Sequence, residues 1–384
     1  MSTINHVDLA ILGGGCAGLS IARELSTQSI QKSVVVIEPR ESYQDDRSWC
    51  FWAAKQHTLS RLVSHVWPDW LFGRHSFTVK TRSCPGYPYQ YVRSADFYQD
   101  SLNIIAQSPS IKVRTGLTVT AVERNPDGWK IVTPQEIYIA AQVIDTRPPP
   151  SELIEKATLF QCFLGVEIQL DPLAKIDIKQ LELMTDMRLV NEEFCFTYIL
   201  PFASDRLLVE VTFFARHVLT QDDLHDELTQ LLARRGWSHA KILRTEYGNL
   251  PMGLALMHTP TVAGPNQLVH AGTRGGALRP SSGYAFLRIQ RWAEQCARQY
   301  AEQGTLYTGT SSGFWLQQMD QLFLAVIKND PALAPILFDR LLSIEQTERF
   351  LRFMDDRASF FDCLHVIHQL PKAPFIKALL SKFW

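Results

Sequence analysis

Three glycines near the start of the chain have the spacing of a phosphate-binding turn. Gly13, Gly15 and Gly18 follow an apolar run and open a helical pattern, and a second apolar run ends in Glu38. In such a unit Gly13 permits a sharp turn, Gly15 lets the backbone approach a pyrophosphate, and Gly18 lets helix and strand pack closely. Glu38 is placed to accept a hydrogen bond from a ribose hydroxyl. The pattern predicts a dinucleotide site; the alternative is that the glycines only shape a turn.

The surroundings of this unit favour FAD over NAD. The unit begins close to the first residue, and Pro39 and Arg40 follow Glu38, as in the flavoproteins of glutathione-reductase type that the chain resembles. Those proteins also bring a second glycine-rich segment towards the isoalloxazine and phosphates, and residues 272–276 form such a segment before a helical pattern. The expected cofactor contacts are Gly13, Gly15, Cys16, Ala17, Gly18, Glu38, Arg47, Asp145, Gly272, Gly275 and Gly276.

A strand predicted at residues 206–216 carries one acidic side chain among apolar ones. Period-two alternation gives one wholly apolar face, formed by Leu207, Val209, Val211 and Phe213. The other face is mixed and is formed by Leu208, Glu210, Thr212 and Phe214. A mixed face is typical of either a solvated surface or the wall of a ligand cavity.

The composition sets limits on the class of protein. The chain has 384 residues, 46% of them hydrophobic, and a net charge of −1, which indicates a globular protein with two or three cores. Scattered lysines and arginines and a pI near 6.8 argue against a nucleic-acid partner. The seven cysteines lack zinc spacing, so we expect a reducing compartment. Without a leader pattern or a long apolar run, we expect a soluble or peripherally attached protein.

The order of the elements predicts an α/β fold. It comprises an FAD-binding Rossmann-like domain of glutathione-reductase type, a mostly antiparallel substrate sheet and a helical C-terminal region. We place the first part of the FAD domain at residues 1–150, the substrate sheet at 151–261, a return segment of the FAD domain at 262–303, and the helical region at 304–384.

Several short motifs in a fixed order resemble the bacterial lycopene cyclases along nearly the whole chain. They are the N-terminal glycine unit and residues 47–51 (RSWCF), 207–212 (LLVEVT), 246–253 (EYGNLPMG), 271–276 (AGTRGG), 280–284 (PSSGY), 350–353 (FLRF) and 370–374 (LPKAP). The chain departs from this family at Val211, where the family usually has a second acidic residue.

The resemblance implies an enzyme that closes the linear end of a carotenoid such as lycopene into a ring. Such an enzyme uses reduced FAD with no net redox change, and NAD(P)H is the expected reductant. Ring closure needs a proton donor in a dry cavity, because protonating an unactivated double bond takes a strong acid and water would quench the cation. A carboxyl group kept neutral by apolar neighbours can hold that proton, and Glu210 is the candidate catalytic acid.

The remaining expectations concern the substrate and the membrane. Candidate substrate-lining residues are Trp49, Phe51, Trp52, Thr212, Glu246, Pro280 and Tyr284, although packing is the more common role for any one of Trp49, Phe51 and Trp52. Glu246 and Arg279 are read either as neighbours in the active site or as a charged pair. A carotenoid resides in a bilayer, so we expect a peripheral protein on the cytoplasmic side whose last segment, residues 374–384, contacts the membrane surface. The competing hypotheses are an FAD-dependent oxidoreductase acting on a hydrophobic polyene, and a non-catalytic carotenoid carrier.

Overall fold

The computed structural model describes residues 3–28, 30–74, 79–171, 176–254, 262–263, 267–309 and 313–380. In chain order its strands are β1 Thr3–Leu12, β2 Val34–Ile37, β3 Ser48–Trp52, β4 Val63–Trp67, β5 Asp69–Phe72, β6 Lys80–Ser83, β7 Tyr89–Arg93, β8 Ile111–Arg114, β9 Ala121–Asn125, β10 Gly128–Val132, β11 Glu136–Asp145, β12 Leu159–Gln169, β13 Gln180–Val190, β14 Glu193–Ala203, β15 Arg206–Ala215, β16 Lys241–Met252, β17 Val262–Ala263, β18 Leu268–His270 and β19 Leu306–Tyr307. The helices are α1 Cys16–Thr27, α2 Ser94–Ile105, α3 Ser151–Ile154, α4 Gln221–Arg234, α5 Phe286–Gln303, α6 Phe314–Asn329, α7 Ala334–Leu342, α8 Thr347–Met354, α9 Phe360–Gln369 and α10 Lys372–Leu380.

The first sheet has the mixed topology of a nucleotide-binding domain. Its order is β8-β2-β1-β11-β10-β9, with β18 joining β11. Strands β8, β2, β1, β11 and β18 run parallel, so their carboxyl ends meet at one edge. Strand β2 reads Val-Val-Val-Ile and is buried throughout, as expected for an inner parallel strand covered on both faces. One face packs on α1, α2 and α5, and on the other face side chains of β1 and β2 cluster with Ile131 of β10 and Val122 of β9.

The second sheet has the order β16-β12-β15-β14-β13-β5-β6 and is antiparallel except for the parallel pair β13–β5. Its last two strands come from Asp69–Phe72 and Lys80–Ser83, which lie inside the range expected for the FAD domain. No local pattern indicates this exchange, because pairing between distant strands is set by tertiary packing. A short strand expected at residues 76–80 falls mostly outside the described residues, and β6 begins at Lys80.

The two faces of β15 have different neighbours, as the alternation predicted. Leu207, Val209, Val211 and Phe213 pack in a core beneath α4, whereas Leu208 and Phe214 face the core built with the C-terminal helices. Helix α4 begins with a capping box in which Thr220 and Asp223 satisfy each other's backbone N–H groups. Burying both faces fixes the register of β15, since a slip by one residue would exchange them.

The C-terminal region is helical from α6 to α10 and packs on the second sheet. No single described helix is long and apolar enough to cross a membrane; α6 taken together with residues 331–342 passes that test by length and composition, but this pair is bent by 113°. Residues 381–384, the end of the expected membrane-contacting segment, lie outside the described residues. Serine is a common helix cap, and the sequence predicts this role for Ser94; in the structure Ser94 is the first residue of α2, and its hydroxyl accepts a hydrogen bond from the backbone N–H of Arg47.

Candidate functional site

The glycine turn between β1 and α1 has the geometry that a pyrophosphate needs. Gly13 has φ +94°, a conformation that favours glycine. A Cβ on Gly18 would lie 1.9 Å from the carbonyl oxygen of Gly13, so only glycine lets α1 approach the turn. A Cβ on Gly15 would meet nothing within 4 Å, and Gly15 lines a cavity together with Gly13 and Cys16. The turn therefore offers open space at the N-terminus of α1, where an anionic group is favoured.

Glu38 lies beside this turn with three of its acceptor positions filled. Its Oε2 accepts a hydrogen bond from the backbone N–H of Gly14 at 2.6 Å. Its Oε1 accepts from the Arg40 side chain at 2.7 Å and from the Arg40 backbone N–H at 3.0 Å. A carboxylate has about four acceptor positions, so one is left for a ribose hydroxyl. These contacts orient Glu38 towards the cavity that it lines, and together with the open turn they fit an FAD molecule.

One cavity of about 830 Å³ joins the glycine turn to the second sheet. At one end it is lined by Gly13, Gly15, Cys16, Glu38, Arg40, Arg47, Thr146 and Arg147. At the other end it is lined by Cys50, Tyr89, Phe163, Tyr198, Leu208, Glu210, Glu246, Tyr284 and Phe286. Ligand cavities usually have volumes of about 300–1,000 Å³. The structure thus brings Glu210 and the glycine turn, which are distant in sequence, into a single space.

Glu210 faces Glu246 across a glycine. Strand β12 lies between β15 and β16, and its Gly165 is the register partner of both Glu210 and Glu246. A Cβ on Gly165 would lie 3.2 Å from Cγ of Glu246 and 3.4 Å from Oε2 of Glu210. The missing side chain therefore leaves a gap over β12 that the two carboxyl groups fill.

The two carboxyl groups have different polar partners. Glu246 is 4% exposed, and its Oε2 accepts hydrogen bonds from Arg244 Nη1 and from Ser48 Oγ, both at 2.8 Å. Glu210 is bound by the hydroxyl of Thr212, which donates to its Oε1 at 2.8 Å. Glu246 thus has a cation in contact, whereas the neighbour of Glu210 is a neutral hydroxyl.

Burial, together with the charge of Glu246, raises the pKa of Glu210 to about 8, although the Thr212 hydrogen bond opposes the rise. Desolvation also raises the pKa of Glu246, but Arg244 and Ser48 act against it. Around Glu210, burial raises the pKa values of Tyr89, Tyr198 and Tyr284, so these phenols stay neutral. This end of the cavity is therefore lined by neutral phenols, and at neutral pH Glu210 carries a proton.

The expected aromatic lining is only partly at the cavity wall. Trp49 and Tyr284 line it, and the hydroxyl of Tyr284 lies 3.1 Å from that of Tyr89. Phe51 and Trp52 are buried behind the wall, where Phe51 stacks on Phe286 and Trp52 packs edge-on against Tyr89 and Tyr284. Thr212 is also fully buried and reaches the cavity only through Glu210, and Pro280 lies outside the wall.

Several expected cofactor contacts lie behind the wall as well. Asp145 is 1% exposed, and its oxygens bind Arg147 at 2.8 Å and Arg274 at 3.0 Å. Of these groups Arg147 lines the cavity. In the second glycine-rich segment, Thr273 lines the cavity. The remaining expected contacts do not line the cavity wall; they are Gly272, Gly275 and Gly276 of this segment and Ala17 and Gly18 of the N-terminal glycine unit. This segment does not lead directly into a helix, since α5 begins only at Phe286.

Arg279 and Glu246 are not a charged pair, contrary to one of the two sequence interpretations. The guanidinium of Arg279 is fully buried and binds both carboxylate oxygens of Asp320 at 3.1 Å, which joins the loop before α5 to α6. Glu246 binds Arg244 instead. The acid that pairs with Arg279 is Asp320 on α6. Local charge patterns in the sequence cannot predict an ion pair between residues so far apart along the chain.

Sequence reasoning missed the residues that act through strand register. Gly165, Ser48 and Arg244 surround the carboxyl pair, and Tyr89 and Tyr198 line the same end of the cavity. The one available signal was Arg244, which precedes Glu246 by two residues and hence lies on the same face of its strand. The others become neighbours only once β12, β15 and β16 are paired.

Comparisons with known proteins agree with this architecture. A family model described as lycopene cyclase protein matches residues 8–380. A lycopene beta-cyclase of Pseudescherichia vulneris is 27% identical over 286 residues, which cover 72% of this chain and 70% of that protein. A lycopene beta-cyclase of Pantoea ananas is 26% identical over 287 residues, which cover 73% and 71%.

Solved structures show the same fold at low sequence identity. A geranylgeranyl bacteriochlorophyll reductase-like protein from Thermoplasma acidophilum has a TM-score of 0.60 at 14% identity, covering 95% of this chain and 96% of its own. The halogenase PltM, solved in complex with phloroglucinol and FAD, has a TM-score of 0.57 at 14% identity, covering 91% and 82%. The fold is therefore that of the FAD-dependent flavoproteins.

Proposed function

The chain belongs to the lycopene cyclase family, and from this membership and the half-buried acid in the cavity we propose that it cyclises the linear end of a carotenoid. The substrate class is lycopene or a close relative, and the product carries a β-ring, as the names of the relatives indicate for those proteins. The observation that carries the proposal is Glu210, an acid with a pKa raised to about 8 in the cavity that also contains the glycine turn.

Glu210 is the proton donor in this proposal. The proton moves from its carboxyl group to a carbon of the terminal double bond, and a tertiary cation forms at the other carbon of that bond. An internal double bond supplies the electron pair of the new ring bond, which moves the positive charge into the ring. Loss of a ring proton to the Glu210 carboxylate then restores the acid, so neither atoms nor electrons are gained or lost.

The walls of the cavity stabilise the cation and exclude water. Tyr89, Tyr198, Tyr284 and Phe163 present aromatic side chains around Glu210, and ring faces attract a positive charge. Because these phenols stay neutral, they present no phenolate that would capture the cation. FAD, bound at the glycine turn in its reduced form, would supply further negative charge, and NAD(P)H is the proposed source of its electrons.

The experiment is to express the chain in cells that accumulate lycopene and to analyse the pigment. We expect cyclic products of unchanged mass, and a loss of at least 100-fold in Glu210→Gln with FAD still bound, in line with the usual contribution of a general acid of about 10²–10⁴. Glu182→Gln is the matched control, because Glu182 lies on the same sheet and binds Arg235 away from the cavity. Full turnover in Glu210→Gln would reject the acid role.

The same experiment separates the alternatives. An oxidoreductase would change the mass of the pigment, and a carrier would bind it unchanged. The solved structures do not select the oxidoreductase, since at 13–14% identity they share only the fold.

We also propose that the C-terminal helices attach the protein to the cytoplasmic side of a membrane. Among the described residues the strongly exposed aromatic side chains are Phe314, Trp315, Phe360 and Phe361, which are 62–73% exposed and lie on α6 and α9. Helix α10 adds exposed Ile376 and Leu380 with Lys377 among them. Aromatic and apolar side chains mixed with lysine are typical of helices that lie in a bilayer interface. Such attachment would give the cavity access to a bilayer-resident substrate.

Flotation with vesicles containing anionic lipid tests the attachment. The double variant Phe360→Ser, Phe361→Ser should remove at least half of the vesicle-bound protein. Ile242→Ser, Leu243→Ser is the matched control, because these side chains are also exposed but lie on the edge strand β16. Equal losses in the two double variants would contradict the proposed surface.

A further inference from the structure

We propose that Glu246 is a positioning residue that keeps the catalytic proton on Glu210, and that Gly165 is the spacer that allows it. The inference rests on the proposed function of Glu210 and assigns a role to the second carboxyl group. In this arrangement Glu246 stays ionised beside Arg244, and its free side accepts a hydrogen bond from the protonated Glu210.

The strand register brings the two carboxyl groups together. Glu210 on β15 and Glu246 on β16 are separated by one strand, and both pair with Gly165 on β12. Side chains at partner positions point to the same face of a sheet. A side chain at position 165 would stand between them, since even a Cβ there would come within 3.2 Å of Glu246 and 3.4 Å of Glu210.

The hydrogen bonds show which carboxylate oxygens of Glu246 and Glu210 are bound by other side chains. Ser48 and Arg244 both bind Oε2 of Glu246, and Thr212 binds Oε1 of Glu210. The other oxygen of Glu210, Oε2, is the one that lies over Gly165. A proton on Oε2 of Glu210 would therefore lie over Gly165, on the side of Glu246, and could be donated to that carboxylate.

The charges decide which carboxyl group is ionised. Arg244 is the cation in contact with the pair, at 2.8 Å from Glu246, and Arg47 acts on Glu246 from the same side. The groups that face Glu210 are Thr212 on its own strand, Cys50 on β3, Tyr198 on β14 and Glu246 itself. None of these is a cation. Arg244 also acts on Glu210 and lowers its pKa, but its close contact is with Glu246, and an opposite charge favours ionisation of the carboxylate that it touches. The pair therefore holds its negative charge on Glu246 and its proton on Glu210.

This division has a chemical consequence for Glu210. Once Glu246 is ionised, its negative charge makes the remaining proton of the pair hard to remove, so Glu210 stays protonated at neutral pH. After the proton is delivered, two adjacent carboxylates repel each other, which favours the return of the ring proton to Glu210. A lone buried acid would lack this second effect.

The test measures the protonation of Glu210 directly in the FAD-loaded protein without substrate. Infrared titration follows the band of a protonated carboxyl group, which should disappear with a midpoint near pH 8 in the wild type and be absent in Glu210→Gln. Glu246→Gln should move the midpoint to lower pH by at least one unit. The cyclisation rate of the chemically reduced enzyme depends on the protonated fraction of Glu210. At any pH above both midpoints, a downward shift of one unit in Glu246→Gln should therefore lower this rate about tenfold.

Two further variants make the result specific. Gly165→Ala should move the midpoint in the same direction, because its methyl group forces the carboxyl groups apart. Glu167→Gln is the matched control: Glu167 lies on the same strand as Gly165 and binds Arg244 at 3.2 Å, but it has no contact with Glu210, so the midpoint should stay within a few tenths of a unit. An unmoved midpoint in Glu246→Gln, or an equal shift in Glu167→Gln, would overturn the inference. Absence of cyclisation with a normal titration would instead reject the proposed function.

Discussion

Alanine substitutions at Gly15 and Gly18 should separate the two roles of the glycine turn. At position 18 the new Cβ would lie 1.9 Å from the carbonyl oxygen of Gly13. A backbone atom cannot rotate away, so the helix and the turn must move apart by about 1 Å or more, at a cost of roughly 1–3 kcal/mol or above. Replacing glycine in a helix regains only about 1 kcal/mol. We therefore expect Gly18→Ala to lower the stability of the FAD-free protein by up to a few kcal/mol.

At position 15 the same methyl group has no neighbour within 4 Å, and the backbone angles, φ −75° and ψ −164°, suit any residue. The stability of the FAD-free protein should therefore change by less than about 1 kcal/mol, the loss expected from a weaker helix cap. The methyl group does enter the cavity where the pyrophosphate is expected. FAD affinity should fall at least tenfold, which corresponds to about 1.4 kcal/mol.

Thermal denaturation of the FAD-free proteins and fluorescence titration with FAD measure the two quantities separately. The reasoning predicts a stability defect in Gly18→Ala and a binding defect without a stability defect in Gly15→Ala. If Gly15→Ala destabilised the FAD-free protein as much as Gly18→Ala, the space around Gly15 would not be open as described. If Gly15→Ala bound FAD normally, the pyrophosphate would have to lie elsewhere.

Three further outcomes are expected. The pKa of Glu210 is raised from 4.5 to about 8, so its contribution to the free energy of unfolding is fully present below pH 4.5 and is lost as the pH rises through about 8. The loss is about 1.4 kcal/mol per pH unit. Because Glu210→Gln lacks this loss, its thermal midpoint relative to that of the wild type should rise across the same pH range. Thr212→Val removes a donor that favours the carboxylate of Glu210, so the alkaline fall in cyclisation rate should move to higher pH, and a move to lower pH would contradict the assignment of that hydrogen bond. Asp320→Ala leaves the fully buried Arg279 unpaired and should cost about 3–5 kcal/mol in chemical denaturation, whereas Glu294→Ala in the exposed pair with Arg298 should cost under about 1 kcal/mol; similar losses would contradict this difference in burial.

The parts of this structure that local sequence predicts are those set by short-range chemistry. The turn at Gly13 and the two faces of β15 follow from glycine geometry and from period-two alternation, and both are present. The C-terminal region is helical from α6 to α10, as expected. In each case the signal lies within one element and its flanking residues.

The parts that the sequence did not predict depend on which elements meet. Gly165 has no motif around it, and its meaning comes only from lying opposite Glu210 and Glu246 on two different strands. The partner of Arg279 is Asp320, forty-one positions later on a helix of another region. Trp49, Phe51 and Trp52 were all candidates for the cavity wall. The sequence could not predict that Trp49 reaches the cavity while Phe51 and Trp52 fill the core behind it.

The exchange of strands between the two sheets affects how the protein can be divided. Strands β5 and β6 are synthesised early but complete the second sheet beside β13, and β18 and α5 are synthesised late but complete the first. A fragment cut at residue 150 would leave each half without strands supplied by the other, with open sheet edges that promote aggregation. The second sheet needs β16 and the first needs β18, so neither sheet can be completed on the ribosome before most of the chain has emerged. The cavity that joins the glycine turn to the second sheet therefore forms late in synthesis.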